Sequence, residues 1–254
     1  MGGSGRRRHR GRGGVLAGAI ASLATAGVSL RAATPADARA AHPEESGREW
    51  GEVATTNFLI ALFQAARAPA IVVIAGAYVE SQQIAFYGAA QRLAAVASTG
   101  LLGLSGYAAP LIARCHAMGD VEGLRRVAMR SAIAGIATAL PAALVLLAWG
   151  GTLLALFGPG FDTARTTLWM LLAGELAAAV CGPVGVFLTM TGRQRLATAI
   201  EAATSVGAVA FAWMLIPGHG ILGAALAVTV GALARNAAMA IVVLRTLTAD
   251  SERR

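Results

Sequence analysis

Residues 156–164 read LFGPGFDTA, a Gly158-Pro159-Gly160 turn bracketed by Phe157 and Phe161. On each side lies an apolar, almost uncharged run of about twenty residues, the length an α-helix needs to cross roughly 30 Å of hydrocarbon. A tight reversal between two such runs is the signature of a helical hairpin in a bilayer, and the rest of the chain follows the same pattern.

Hydrophobic residues make up 56% of the 254 and charged ones 13%, with a mean hydropathy of +0.64. Those values lie outside the range of soluble domains and predict an all-α integral membrane bundle. All 21 basic residues are arginine and, against 13 acidic ones, leave a net charge of +8. That charge collects at the amino end and in a few short connections. The interleaved aromatics and basic folded face of a nucleic-acid binder are missing, so no nucleic-acid partner is expected. The absence of lysine removes the Walker A motif, the Schiff-base nucleophile and the kinase phosphate lysine. Cys115 and Cys181 form no metal-ligand spacing, and neither a metal nor a cofactor is expected.

Six spans are predicted, at 56–79, 84–113, 128–150, 166–191, 196–216 and 221–244. Short turns join them: Glu80-Ser-Gln-Gln83, Met118-Gly-Asp120, Gly158-Pro-Gly160, Thr191-Gly-Arg193 and Pro217-Gly-His-Gly220. Arginine is retained on the cytoplasmic side of short loops. Arg48, Arg114, Arg125, Arg126, Arg130, Arg193, Arg195, Arg245, Arg253 and Arg254 all fall on one side, and only Arg165 on the other. The asymmetry predicts a multi-pass protein of the cytoplasmic membrane with both ends inside and the 158–160 turn outside. Three regions are expected: a basic, Ala/Gly-rich segment over 1–50, poorly ordered or a remnant span; the membrane domain over 51–248; and a tail over 249–254.

Ionisable residues within spans carry the functional reading, because each costs roughly 2.5–3.5 kcal/mol at mid-bilayer unless paired or hydrated. Five qualify: Arg67, Arg92, Glu175, Glu201 and Arg235. Arg67, near mid-span and two residues before Pro69, is the leading candidate for a ligand contact. Arg92 and Glu175 lie at matching depths, where they form an internal ion pair or take a substrate role. Glu201 and Arg235 fall nearer the span ends and are expected to snorkel as structural groups. Asn57 and Gln64 add polar lining to the first span. Pro69, Pro110, Pro141 and Pro183 place a breaker in or at the end of each of the first four spans, as interrupted transporter helices do. Gly103-Leu-Ser-Gly106 has the form of an intramembrane protease nucleophile, but His9, His42, His116 and His219 all lie outside the spans. A serine nucleophile without a base does not make an enzyme.

The run Ile84-Ala-Phe-Tyr-Gly-Ala-Ala-Gln-Arg-Leu-Ala94 is followed by Ala109-Pro110-Leu-Ile-Ala-Arg114, Leu153-Leu-Ala-Leu-Phe-Gly-Pro-Gly-Phe161, Gly182-Pro-Val-Gly185 and Gly220-Ile-Leu-Gly-Ala-Ala-Leu-Ala227. In order and spacing these resemble the carboxy-terminal half of polysaccharide-biosynthesis flippases, members of the multidrug/oligosaccharidyl-lipid/polysaccharide exporter superfamily. The resemblance covers about residues 50–248. It implies one lobe of a two-lobed exporter that flips a lipid-linked saccharide of the polyprenyl pyrophosphate type by alternating access. Arg67 and Arg92 would then be its phosphate contacts, since arginine bonds phosphate bidentately and stays charged when desolvated. It also implies that a homodimer or a separately encoded amino-terminal lobe completes the cavity. A multidrug or cation antiporter of the same superfamily, with Glu175 as the coupling acid, and an inactive fragment or assembly subunit of a polysaccharide-export complex are the alternatives.

Overall fold

The computed structural model describes the backbone of residues 47–252 and the side chains of 51–248. The expectations for the amino-terminal segment up to residue 46, and for the side chains of the tail, fall outside the described residues. Contacts divide the chain at Gly51 and Glu52, and the packing described below belongs to the second unit.

Every regular element described is helical. In chain order these are α1 (Gly47–Tyr78), α2 (Ser81–Ala117), α3 (Val121–Ala155), a 3-10 turn (Phe161–Ala164), α4 (Arg165–Cys181), α5 (Val184–Met190) and α6 (Gln194–Glu252). Among the described residues, five stretches are long and apolar enough to cross a membrane. The last of them, within α6, holds two crossings, because Gly220 breaks the helical path at φ 55° and ψ −134°. Only glycine occupies that region without strain, so the connection expected at 217–220 is a sharp bend with helix on both sides.

The fourth span is divided where its sequence says it should be. Gly182 has φ 68° and ψ −162°, and Pro183 carries no N–H, so α4 ends and α5 restarts from Val184. Pro69, Pro110 and Pro141 instead lie inside unbroken helices. A single proline removes one backbone hydrogen bond, which packing against neighbouring helices outweighs; an adjacent glycine with positive φ redirects the chain.

The 156–164 turn is held by rings and backbone. Gly158 and Gly160 take positive φ, 140° and 81°, and Thr163 donates its hydroxyl to the Gly160 carbonyl at 2.6 Å. Phe161 lies edge-on to Phe86 of α2 at 4.7 Å and stacks with Phe157 at 6.1 Å. Phe161 therefore packs against the core, while Phe157 stays exposed. Phe161→Ala is expected to cost about 0.5–1.5 kcal/mol beyond its lost burial, read as a lower melting temperature in detergent. Phe157→Ala should be nearly silent.

Two apolar clusters fill opposite ends of the bundle. One gathers Ile71, Tyr87, Leu154, Leu168, Ile216 and Ala224; the other gathers Ile112, Leu124, Phe187, Leu188, Met239 and Val243. Small residues let the helices approach closely. The Thr229 hydroxyl reaches across from α6 to the Met170 carbonyl of α4 at 2.7 Å, beside Gly174. At the far end, Asp120 caps α3 by accepting from the Gly123 N–H at 2.8 Å. The outer surface is rich in exposed Leu, Val, Ile, Met and Trp, including Val73, Leu102 and Met214, as suits an apolar surround.

Candidate functional site

Between the apolar clusters lies a polar one, built from both legs of α6 and from α1. Glu201, on the first leg, is completely buried. Its carboxylate accepts from the Gln64 side-chain amide at 3.2 Å and from the Ser205 hydroxyl at 3.4 Å, and pairs with the Arg235 guanidinium of the second leg at 3.6 Å. A buried carboxylate needs this many partners, because leaving water costs several kcal/mol per ion. Gln64 and Arg67 are three apart on α1, and Glu201 and Ser205 four apart on α6, so each helix presents its polar pair on one face.

Arg67 adjoins this network and feels the charges of Arg235, Glu201 and Glu175 and the phenol of Tyr87. Its Nη1 is buried and has no hydrogen-bond partner; the hydroxyl of Tyr87 on α2 is likewise buried and unpartnered. Two orphaned donors so placed present a local preference for an acceptor oxygen. Arg67 also lines a groove of about 350 Å³ between α1 and the first leg of α6, walled by Phe63, Val209 and Trp213 with Ser205 at its edge. A second link between these helices is the ion pair of Arg195 with Glu52, exposed and outside the apolar zone.

Several expectations are corrected by this arrangement. Arg92 is exposed and forms no ion pair with Glu175 among the described residues. The reason is rotational: α2 buries Phe86, Ala90, Ala94 and Ala97, and Arg92 falls on the opposite face at 3.6 residues per turn. Glu175 belongs to the buried face of α4, beside Leu171, Leu172, Ala178 and Ala179, and its charge reaches Arg67. Glu201 and Arg235 do not snorkel; they pair inside the bundle. Asn57 is exposed and outside the polar cluster, whereas Gln64 is part of it. Glu201 as the hub was missed, although its serine neighbour one turn later was a readable sign of a polar stripe. No group of His, Cys, Asp and Glu suited to a metal ion occurs among the described residues.

The comparisons with known proteins agree with this bundle. A family profile, MatE, matches residues 57–214, more than half the chain. The fold is similar to an inward-facing multidrug resistance MATE family transporter of the MOP superfamily, with a TM-score of 0.69 and 12% identity over 76% of this chain and 46% of that one. It is also similar to a MATE protein crystallised in complex with MaL6, with a TM-score of 0.70 and 12% identity over 78% of this chain and 46% of that one. None of the curated proteins matches. The chain thus spans less than half the length of these structural neighbours. The superfamily expected from the motifs is the one given for the first of these neighbours, and the six crossings of the described bundle resemble the fold of one lobe. The chain belongs to the MatE family.

Proposed function

We propose that this chain is one lobe of an exporter that moves amphipathic small molecules across a membrane by alternating access, with the network around Arg67 as its coupling element. The carrying observation is the charge balance at that point. Arg67 and Arg235 face two carboxylates, Glu201, fully sealed, and Glu175, half-buried and in no ion pair among the described residues. A balanced cluster with one unpaired acid can exchange a proton or cation for a solute, whereas a site for a pyrophosphate needs excess positive charge. Arg92, the second guanidinium such a site would use, points away from the cluster. One structural neighbour, a multidrug resistance MATE family transporter, favours the same reading. The groove beside Arg67 offers Phe63 and Trp213 to an apolar or aromatic body. A second copy of the chain or a separately encoded lobe would supply the facing wall.

One observation favours the flipping of a lipid-linked saccharide instead: the unpartnered donors of Arg67 and Tyr87 suit phosphate oxygens. The two readings part in one experiment. The full chain, in proteoliposomes under an imposed proton gradient, is given a cationic dye, and separately a polyprenyl pyrophosphate saccharide. Gradient-driven dye movement that falls about tenfold, an effect of ~1.4 kcal/mol, in Glu175→Gln supports the exporter. Movement indifferent to the gradient and to Glu175→Gln overturns it. Saccharide binding abolished by Arg67→Ala and partly kept by Arg67→Lys would establish the second reading; equal binding by wild type and Arg67→Ala would remove it.

A further inference from the structure

A larger cavity, of about 550 Å³, opens at the other end of the bundle, between α3, the α4–α5 break and the second leg of α6. Its walls include Ala132, Phe187 and Leu244, and the broken segment contributes Cys181 and Pro183. Two charged side chains line it as well, Glu122 and Arg125 from the first turns of α3, both exposed. They are three residues apart and so are neighbours on one helix face. Arg126 is engaged elsewhere: it contacts the Asp120 carboxylate at 3.9 Å and donates its Nε–H to the Glu122 carbonyl at 3.4 Å.

Depth decides what fits. The apolar span of α3 is expected to begin near residue 128, so Glu122 and Arg125 stand one to two turns outside it, roughly 4–9 Å along the axis and at headgroup level. The apolar walls lie within the span. The cavity therefore offers hydrocarbon depth for a tail and, above it, one cation and one anion side by side. We propose that this groove binds one chain of a phospholipid whose headgroup carries both a phosphate and a primary ammonium, the phosphate on Arg125 and the ammonium on Glu122. Arginine matches phosphate geometry, and a primary ammonium donates hydrogen bonds to a carboxylate that a quaternary one does not. The lipid would lie against the break at Gly182 and Pro183, the point where the fourth crossing changes direction.

The test is lipid retention by the full chain, extracted from bilayers of equal phosphatidylethanolamine, phosphatidylcholine and phosphatidylglycerol with matched chains, counted by native mass spectrometry. Wild type should keep phosphatidylethanolamine over phosphatidylcholine by about two- to fivefold, the range of an exposed ion pair. Glu122→Gln should lower phosphatidylethanolamine to the phosphatidylcholine level and leave the latter unchanged. Arg125→Ala should reduce all three lipids, and Glu122→Arg should turn the preference to phosphatidylglycerol. Both positions are exposed, and helical circular dichroism should be unchanged in each variant. Equal retention of the three lipids by wild type, or a phosphatidylethanolamine preference that survives Glu122→Gln, overturns the proposal.

Discussion

Glu201→Ala is expected to cost about 3–5 kcal/mol, enough to leave little folded protein, because it strips the largely enclosed Arg235 of its counter-charge. The loss belongs to the stranded guanidinium more than to the missing contact. Gln64 and Ser205 would also lose their shared acceptor, and Arg67 would feel a second cation with one fewer carboxylate. If that account is right, Glu201→Leu combined with Arg235→Leu should recover most of the stability while transport stays absent, since apolar pairs often replace buried ion pairs at little cost. Thermal melts in detergent beside transport in proteoliposomes separate the two effects. A double variant as unstable as Glu201→Ala would show that the carboxylate supports the fold through Gln64 and Ser205 and not through the ion pair.

Gly135→Ala should be among the most damaging single methyls in the bundle. A Cβ at Gly135 of α3 would lie 2.6 Å from the Ala179 carbonyl oxygen of α4. That oxygen belongs to the helix backbone, where with the Ala178 carbonyl (3.1 Å) it shares the Gly182 N–H (3.2 Å) at the end of α4, and it has little room to give. The helices must separate, and a loss of about 1–3 kcal/mol follows, with Gly135→Val worse. Gly207→Ala serves as the control: its Cβ meets nothing within 4 Å, so the same methyl should be neutral or slightly stabilising. Equal melting temperatures for the two variants would mean that the α3–α4 contact is not tight.

How much of this was legible in the sequence depended on which coordinate a residue fixes. Apolar run length gives depth along the membrane normal, and the crossings followed from it; the connection at 217–220 and the interruption at Gly182-Pro183 followed from turn and breaker residues. Rotation about each helix axis does not follow from length. Arg92 and Glu175 were matched in depth yet face different ways, because the buried stripe of α2 is made of alanines that a uniformly apolar helix does not distinguish from its outer face. Glu201 was set near a span end by counting residues, and only the partners on α1 and on the second leg of α6 show that it is sealed. Prolines misled in the other direction: of those in the first four spans, only Pro183, which has a positive-φ glycine before it, ends a helix.

The bond from Gln64 to Glu201 joins positions 137 residues apart. A ribosome adding about 5–20 residues per second makes the first of these roughly ten seconds before the second. Through that interval the nascent α1 carries Gln64 and Arg67 through the translocon and into the lipid with no partner yet synthesised on α6. Among the described helices the first is thus completed by the last, and a ribosome stalled before residue 201 leaves Gln64 without its acceptor on α6.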